Sequence, residues 1–238
     1  MYYQEKNFRR FLICRRDYLT PQMQAFLHNP GLYFEQTAEY FKKAPGEATT
    51  VGIVALGGKK FVVKRYNPKG FWHGIKRMLR SSRALRSWEN SRYLERYGIA
   101  TAKPAAVFME RFGPFRGTTY FIMEYVHGLR GWDIFKRDSE RRDSWENILE
   151  GVAALLKKLY AARVTHDDFQ HNNMIFVEGE PVLLDLDHMR VHLYNSIWFR
   201  INFRKDVKNF LRVLGEINPG ARRMAEKTLE QNKIFSFA

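Results

Sequence analysis

Residues 165–173 read Thr165-His166-Asp167-Asp168-Phe169-Gln170-His171-Asn172-Asn173, and Asp185 stands twelve positions after Asn173 in the stretch Leu184-Asp185-Leu186-Asp187. Carboxylate and carboxamide oxygens in a loop suit Mg²⁺, which binds through one or two carboxylates together with phosphate oxygens and water. A further carboxylate, Asp168, can accept a proton from an attacking hydroxyl. This combination matches what phosphoryl transfer requires, where positioning and charge neutralisation matter more than covalent chemistry.

The sequence around this loop predicts a small sheet first and helices later. Aromatic-rich residues 33–41 are expected to form a strand, and 42–47 a turn. Residues 51–56 and 60–66 predict a hairpin across Gly57-Gly58, because glycine adopts positive φ without steric cost. Further strands are expected over 104–109, 118–126, 174–177 and 181–186.

Helical spacing of apolar residues marks the remaining elements. A helix is predicted over 81–97, ending at Gly98. A second is predicted over 144–162, with Ser144 as its N-cap and one apolar side, formed by Ile148, Val152, Leu155, Leu156 and Leu159. The last fifty residues predict helices with a break at Asn218-Pro219-Gly220.

The segment 165–187 resembles the protein-kinase-like superfamily. Its pattern His-x-Asp-x-x-x-x-Asn is satisfied by His166, Asp168 and Asn173, and Asp185 matches the later metal-binding Asp, within Asp-Leu-Asp rather than Asp-Phe-Gly. The resemblance implies that Asp168 is the catalytic base, that Asn173 and Asp185 hold Mg²⁺, and that His166 supports the loop.

The resemblance extends over about residues 35–215 and implies an ATP site upstream. Lys64 in Phe61-Val62-Val63-Lys64 resembles the strand lysine that contacts the α- and β-phosphates. Its ion-pair partner would be Glu89, with Glu95 as the alternative. The backbone of Glu124 and Val126 would bond adenine. Gly-x-Gly-x-x-Gly is missing, so the phosphate-covering loop is assigned to the segment between Gly46 and Gly52, where Thr49 and Thr50 would contact phosphate.

Departures from the protein-kinase pattern bear on the substrate. Gln170 replaces the lysine commonly found two residues after the catalytic Asp, no Ala-Pro-Glu follows, and 51 residues remain after Asp187. These features favour a small-molecule, sugar or glycolipid acceptor. The stretches 89–104 and Asp-Leu-Asp-His-Met-Arg resemble the lipopolysaccharide kinase family, whose members phosphorylate Kdo or heptose of the inner core. The expected fold is α+β and two-lobed: an antiparallel-sheet N-lobe over 1–126, with a basic N-terminal extension, and a mainly helical, shortened C-lobe over 127–238.

Composition limits the class of protein and its partners. A hydrophobic content of 45% excludes wholesale disorder, and the one cysteine, Cys14, excludes an intrachain disulfide framework. The net charge is +15, and residues 1–100 hold 19 basic side chains against 7 acidic ones. Ten basic residues and no acidic one lie between Glu47 and Glu89. Such a charge attracts anions, whether nucleic acid, an acidic membrane surface or a phosphorylated substrate. The family resemblance implies that the partner is an anionic glycolipid at the inner-membrane surface, with nucleic acid disfavoured. No apolar run reaches the ~18–20 residues of a membrane span, so a soluble, cytoplasmic protein is expected. The family resemblance further implies a peripheral position on the cytoplasmic face of the inner membrane.

Two other functions stay open at this stage. The first is a kinase for another small alcohol, such as an aminoglycoside or a choline-like molecule, although those substrates are cationic and the charge of +15 disfavours them. The second is a non-catalytic module that binds nucleotide or nucleic acid through the basic residues. The ordered set Asp168, Asn173 and Asp185 favours an active kinase over both.

Overall fold

The structure, a computed structural model, describes residues 1–42, 49–67, 82–136 and 144–237. Residues 43–48, which hold most of the predicted turn and the start of the assigned phosphate-covering loop, lie outside these ranges. Four residues of the basic run also lie outside them, namely Lys69, Lys76, Arg77 and Arg80. The chain divides into two compact units, one of Met1–Arg92 with Ala102–Tyr125 and one of Tyr93–Thr101 with Val126–Ala238.

A seven-stranded sheet, antiparallel throughout, forms the first unit. Its strands are β1 (Tyr2–Lys6), β2 (Arg10–Arg15), β3 (Glu39–Lys42), β4 (Thr49–Leu56), β5 (Lys59–Tyr66), β6 (Pro104–Phe112) and β7 (Phe115–Glu124). They lie in the spatial order β1-β2-β6-β7-β5-β4-β3. The predicted hairpin is confirmed: β4 pairs with β5 across Gly57-Gly58, whose φ values are +58° and +78°.

The N-terminal residues, expected as a basic extension, contribute to this sheet and its core. Strand β2 pairs with β6 from Arg10 opposite Glu110 to Cys14 opposite Ala106. Helix α1 (Pro21–His28) follows, and its N-cap Thr20 accepts a hydrogen bond from the Met23 amide. Apolar residues of β2 and α1 are buried in one cluster with the central strands, including Leu12, Cys14, Met23, Phe26 and Leu27.

The strand predicted over residues 33–41 is wrong over most of its length. Helix α2 (Pro30–Thr37) occupies the region, and the chain becomes extended only in β3, from Glu39. Asn29 caps this helix by accepting a hydrogen bond from the Leu32 amide, and Pro30 occupies its first position, where a missing N–H costs nothing. The aromatic residues reflect core packing, since the buried Phe34 ring contacts the rings of Tyr40 and Tyr120.

Helices dominate the second unit. Helix α3 (Arg83–Arg96) belongs to the first unit up to Arg92 and to the second from Tyr93, and it ends at Gly98 with φ +63° as predicted. The other helices are α4 (Gly131–Phe135), α5 (Trp145–Ala161), α6 (Ile197–Ile217), α7 (Pro219–Gln231) and α8 (Ile234–Phe237). Five short strands accompany them: β8 (Leu129–Arg130), β9 (Val164–Thr165), β10 (Met174–Val177), β11 (Glu180–Leu183) and β12 (Arg190–Val191).

The loop of residues 166–173 lies between two paired strands, because β9 ends just before it and β10 begins just after it. Strands β8, β10 and β11 form one small sheet, and β9 pairs with β12 in another. The strand predicted over 181–186 is shorter than expected, because β11 ends at Leu183 and Asp185 has a φ of +57°. Positive φ is incompatible with a continuing strand, so Asp185 lies in a turn after the strand.

Helix α5 confirms the predicted apolar side, since Ile148, Val152, Leu155, Leu156 and Leu159 are all buried. Ser144 occupies the predicted N-cap position, but its side chain makes no capping hydrogen bond. Buried Trp145 fixes this end of the helix instead, and its indole N–H donates to the Ile134 carbonyl at 3.0 Å. The break between α6 and α7 is confirmed: Asn218 accepts from the amides of Gly220 and Ala221.

Candidate active site

The loop of residues 166–173 is fixed by helix α6. The backbone N–H of His166 donates to the Asp206 carboxylate at 2.6 Å, and the side-chain amide of Asn209 donates to the Phe169 carbonyl at 3.2 Å. Asp206 is buried among the apolar residues of α6. Burial raises the pKa of Asp206 to about 7, and the hydrogen bond from His166 opposes part of that rise. A buried carboxylate therefore anchors the start of the loop.

His166 connects the loop to the segment that carries Asp185. Its buried ring nitrogen Nε2 lies 2.8 Å from the Leu184 carbonyl oxygen, and the Leu184 amide donates to the Asn173 carbonyl at 2.9 Å. The loop therefore bonds both the backbone amide and the backbone carbonyl of Leu184. These bonds hold Leu184, the residue before Asp185, against the loop, and His166 is one of the residues that join the two segments.

Asp168 is oriented by two carboxamides. Asn173 Nδ2 donates to both the carbonyl and the Oδ2 of Asp168, each at 2.8 Å. Gln170 Nε2 lies 3.0 Å from both carboxylate oxygens of Asp168. Gln170, which departs from the protein-kinase pattern, therefore contacts the predicted base directly. Three donor contacts hold the Asp168 carboxylate, and a fourth, from Asn173, holds its backbone carbonyl.

Asn173 and Asp185 supply the oxygen donors that Mg²⁺ prefers. The Asn173 amide nitrogen is committed to Asp168, which leaves its Oδ1 as the atom available to a cation. In the described part of the chain, no group of three or more His, Cys, Asp or Glu side chains could hold a metal ion. Mg²⁺ in phosphoryl-transfer sites uses one or two carboxylates, with phosphate and water completing the shell, so this donor set fits the ion.

The predicted phosphate-contacting residues of the first unit lie on its sheet. Lys64 is half-buried on β5, opposite Val51 of β4 and Phe121 of β7. Glu89 is exposed on α3 and forms no ion pair with any described residue. The structure therefore does not pair Glu89 with Lys64. Glu95, the alternative, belongs to the second unit.

Thr49 and Thr50 begin strand β4 rather than a loop. The Thr49 hydroxyl accepts a hydrogen bond from Arg83 at 3.0 Å, and Thr50 is buried. The Glu124 amide donates to the Lys103 carbonyl at 2.9 Å, so an adenine contact at Glu124 would use its carbonyl group. Val126 belongs to the second unit.

Two residues of the loop environment have no counterpart in the sequence prediction. Asp206 interrupts an apolar stripe formed by Phe203, Val207 and Phe210, and an acidic residue in such a stripe signals a buried hydrogen-bonding role. Arg190 of β12 forms a 2.6 Å ion pair with Asp167, which has a φ of +64°. No sequence signal distinguishes Arg190 from the many other basic residues.

The described part of the basic run is partly neutralised by local acids. Arg65 pairs with Glu35 at 3.0 Å, and Lys59 lies 3.8 Å from Glu124. Arg83 lies over the Tyr66 ring, 4.8 Å from its centroid. Local contacts therefore account for part of the positive charge that the sequence shows.

An antiparallel sheet unit, a helical unit and a loop in which Asn173 and Gln170 orient Asp168 are features of a kinase-like phosphotransferase. The model of the Lipopolysaccharide kinase (Kdo/WaaP) family matches residues 35–229, and the chain belongs to that family. A phosphotransferase of this family acts on a sugar hydroxyl, and the chain is a kinase acting on lipopolysaccharide.

A solved structure of WaaP in complex with acyl carrier protein shares the kinase-like fold. The match covers 93% of this chain and 98% of that chain, at 16% identity and a TM-score of 0.54. No curated protein sequence matches significantly. Over the described ranges, no helix has both the length and the apolar character needed to cross a bilayer.

Proposed function

We propose that this protein transfers the γ-phosphoryl group of ATP to a hydroxyl of Kdo or heptose in the lipopolysaccharide inner core. The observation that carries the proposal is the orientation of Asp168 by Asn173 and Gln170 in a loop anchored to α6. The acceptor oxygen forms a bond to the γ-phosphorus while the bond to the bridging oxygen of ADP breaks. Asp168 accepts the hydroxyl proton.

The other predicted site residues have supporting roles. Asn173 and Asp185 hold Mg²⁺, which neutralises charge on the phosphates when bound. Lys64 contacts the α- and β-phosphates, and the half-buried position of its side chain on a central strand supports that role. His166 keeps the loop and the Asp185 segment in register through its hydrogen bond to Leu184.

Substitution of the base tests the mechanism. Asp168→Ala is expected to lower phosphoryl transfer by about 10²–10⁴-fold, the usual contribution of a general base, while ATP binding persists. Asp17→Ala removes an exposed carboxylate from the first unit and serves as the control. Normal turnover by Asp168→Ala would exclude Asp168 as the base. Purified precursors of increasing core length, incubated with ATP and Mg²⁺, then identify the acceptor, because the shortest precursor that gains phosphate ends in the acceptor sugar.

Membrane contact is part of the proposal, and an exposed apolar surface supports it. Leu193, Tyr194, Ile197 and Trp198 are 64–79% exposed, and we call these four residues the 193–198 patch. Exposed Arg200 and Arg204 follow it on α6. Tyrosine and tryptophan favour the membrane–water interface, and each basic residue near anionic headgroups contributes about 1 kcal/mol.

Hydrogen bonds and ring contacts join residues in and next to the 193–198 patch to residues 160–165, just before the loop of residues 166–173. The His192 amide donates to the Arg163 carbonyl at 2.9 Å, and the His192 ring lies 2.9 Å from the Thr165 hydroxyl. Ser196 caps α6, and buried Phe199 packs against Tyr160. A membrane bound at this surface would therefore contact a segment that is joined to the chain immediately before the loop that carries Asp168.

Vesicle flotation tests the membrane contact. Wild-type protein is expected to float with vesicles containing anionic phosphatidylglycerol, and the double variant Ile197→Ser/Trp198→Ser is expected to lose most of this binding. Phe112→Ser, which removes a 70% exposed aromatic residue from the first unit, is the matched control. Equal flotation of all three proteins contradicts the assignment. The assignment is also contradicted if this surface binds acyl carrier protein but no vesicles. Acyl carrier protein is the partner of WaaP in the matching structure.

A further inference from the structure

A pocket of about 510 Å³ lies between the loop of residues 166–173 and one side of α6. Asp167 of the loop and Arg190 of β12 line one part of it. The rest is lined by α6, including Lys205, Lys208 and Arg212. These three positions are three and four residues apart, so their side chains project from one side of the helix.

The pocket carries an excess of positive charge. Its lining includes four cationic side chains and two carboxylates, Asp167 and Asp206. Both carboxylates already have partners: Asp167 pairs with Arg190, and buried Asp206 accepts the His166 amide. Neither Lys205 nor Lys208 forms an ion pair or hydrogen bond with a residue of the described ranges, and both are exposed. Like charges at this spacing repel one another, so an anion bound between them would stabilise the arrangement.

Hydrogen bonds connect the basic wall of the pocket to the loop. Arg212 donates to the Asn209 side-chain oxygen at 2.7 Å, and the Asn209 amide nitrogen donates to the Phe169 carbonyl at 3.2 Å. Asn209 therefore joins a pocket cation to the residue that follows Asp168. Asp167, on the other side of Asp168, lines the pocket itself. An anionic group in the pocket would therefore lie next to the loop that carries Asp168.

We infer that this pocket binds a carboxylate or phosphate of the acceptor glycolipid and so positions the acceptor hydroxyl at Asp168. The inference rests on the proposed function, because it takes the molecule at Asp168 to be the acceptor. It assigns Lys205 and Lys208 as specificity-determining residues that recognise an acidic sugar or a sugar phosphate. Uncharged sugars lack the group that this pocket would bind.

Steady-state kinetics of a charge-removal variant test the assignment. Lys205→Gln/Lys208→Gln is expected to raise the KM for the lipopolysaccharide precursor by about tenfold, in line with the loss of charge-assisted hydrogen bonds. The KM for ATP and kcat should change by less than about twofold. The matched control is Arg223→Gln/Lys227→Gln, which removes the same charge from exposed positions on α7. A similar KM in the pocket variant and wild type overturns the inference, as does an equal rise in both variants or a rise in the KM for ATP.

Two further measurements separate this inference from the proposed function. A precursor whose carboxylates are methyl-esterified or whose phosphates are removed should lose affinity for wild-type protein but not for the pocket variant. NMR titration with inorganic phosphate should shift the backbone amides of residues 205–212 in wild-type protein and much less in the pocket variant. If phosphate binds at these residues but no precursor is phosphorylated, the proposed function fails while the anion pocket stands. If phosphate binding is the same in both proteins, the pocket assignment fails whatever the activity.

Discussion

The pH dependence of folding stability should contain a contribution from Asp206 that a single substitution removes. Burial raises the pKa of Asp206 from 3.8 to about 7 in the folded protein. Between these values the folded state holds a proton that the unfolded state has released. The stabilising contribution is therefore complete below about pH 4, decreases as the pH rises, and is lost above about pH 7.

The size of this contribution follows from the shift. Each pKa unit corresponds to about 1.4 kcal/mol, so a shift of about 3 units corresponds to about 4 kcal/mol over the full range. From pH 5 to pH 8, a range convenient for experiment, the contribution of Asp206 to the free energy of unfolding should fall by about 3 kcal/mol. Asp206→Asn does not titrate. Its free energy of unfolding should lack this decrease, even though the variant starts from a different stability because it replaces one acceptor oxygen with an N–H donor.

Urea unfolding at several pH values, followed by tryptophan fluorescence, measures the effect. Buried Trp145 reports on the unit that contains Asp206. The difference in unfolding free energy, wild type minus Asp206→Asn, should fall by about 3 kcal/mol from pH 5 to pH 8. Asp133→Asn, a change at a surface carboxylate, should show no such trend. A difference that stays constant with pH would refute the reasoning, because Asp206 would then be ionised at pH 5 as it is at pH 8.

Three further substitution or labelling experiments test the packing. Burial raises the pKa of Cys14 to about 12, so iodoacetamide at pH 8 should label it slowly in the native protein and rapidly in guanidinium; fast native labelling would contradict its burial. Leu156→Ala should lower the free energy of unfolding by about 2–5 kcal/mol, and Leu32→Ala, at a half-exposed position, by under about 1 kcal/mol, as measured by urea titration. Gly131→Ala should lower both Tm and phosphoryl transfer, because the added methyl group would overlap the His171 carbonyl in the turn before Asn173; an unchanged Tm would contradict this.

The sequence predicts the second unit well where local chemistry decides the structure. The apolar periodicity of α5, the helix break at Asn218-Pro219-Gly220 and the loop that carries His166, Asp168 and Asn173 are all local patterns, and each appears in the structure. Asp206 is different. Its role depends on a hydrogen bond to His166, forty residues earlier, and no local rule predicts that contact.

The incorrect strand over 33–41 shows a second limit. Its aromatic residues satisfy the strand preference, but Asn29 and Pro30 start a helix immediately before them. The same ambiguity affects Thr49 and Thr50, which were expected to contact phosphate from a loop and instead begin β4. In the first case a helix start outweighs the strand preference of the aromatic residues, and in the second Thr49 and Thr50 are extended because they pair with Tyr66 and Arg65 of β5.

The pairing of β2 with β6 has a consequence for synthesis of the chain. Arg10 lies opposite Glu110, so one hundred positions separate the two partners. At about 5–20 residues per second, roughly 5–20 s pass between synthesis of the two strands. Throughout that time β1 and β2 form at most an isolated hairpin, which is marginally stable in water, with Leu12 and Cys14 still uncovered. The apolar residues of this hairpin are therefore synthesised well before the strand that covers them, and they are exposed to chaperones for that time.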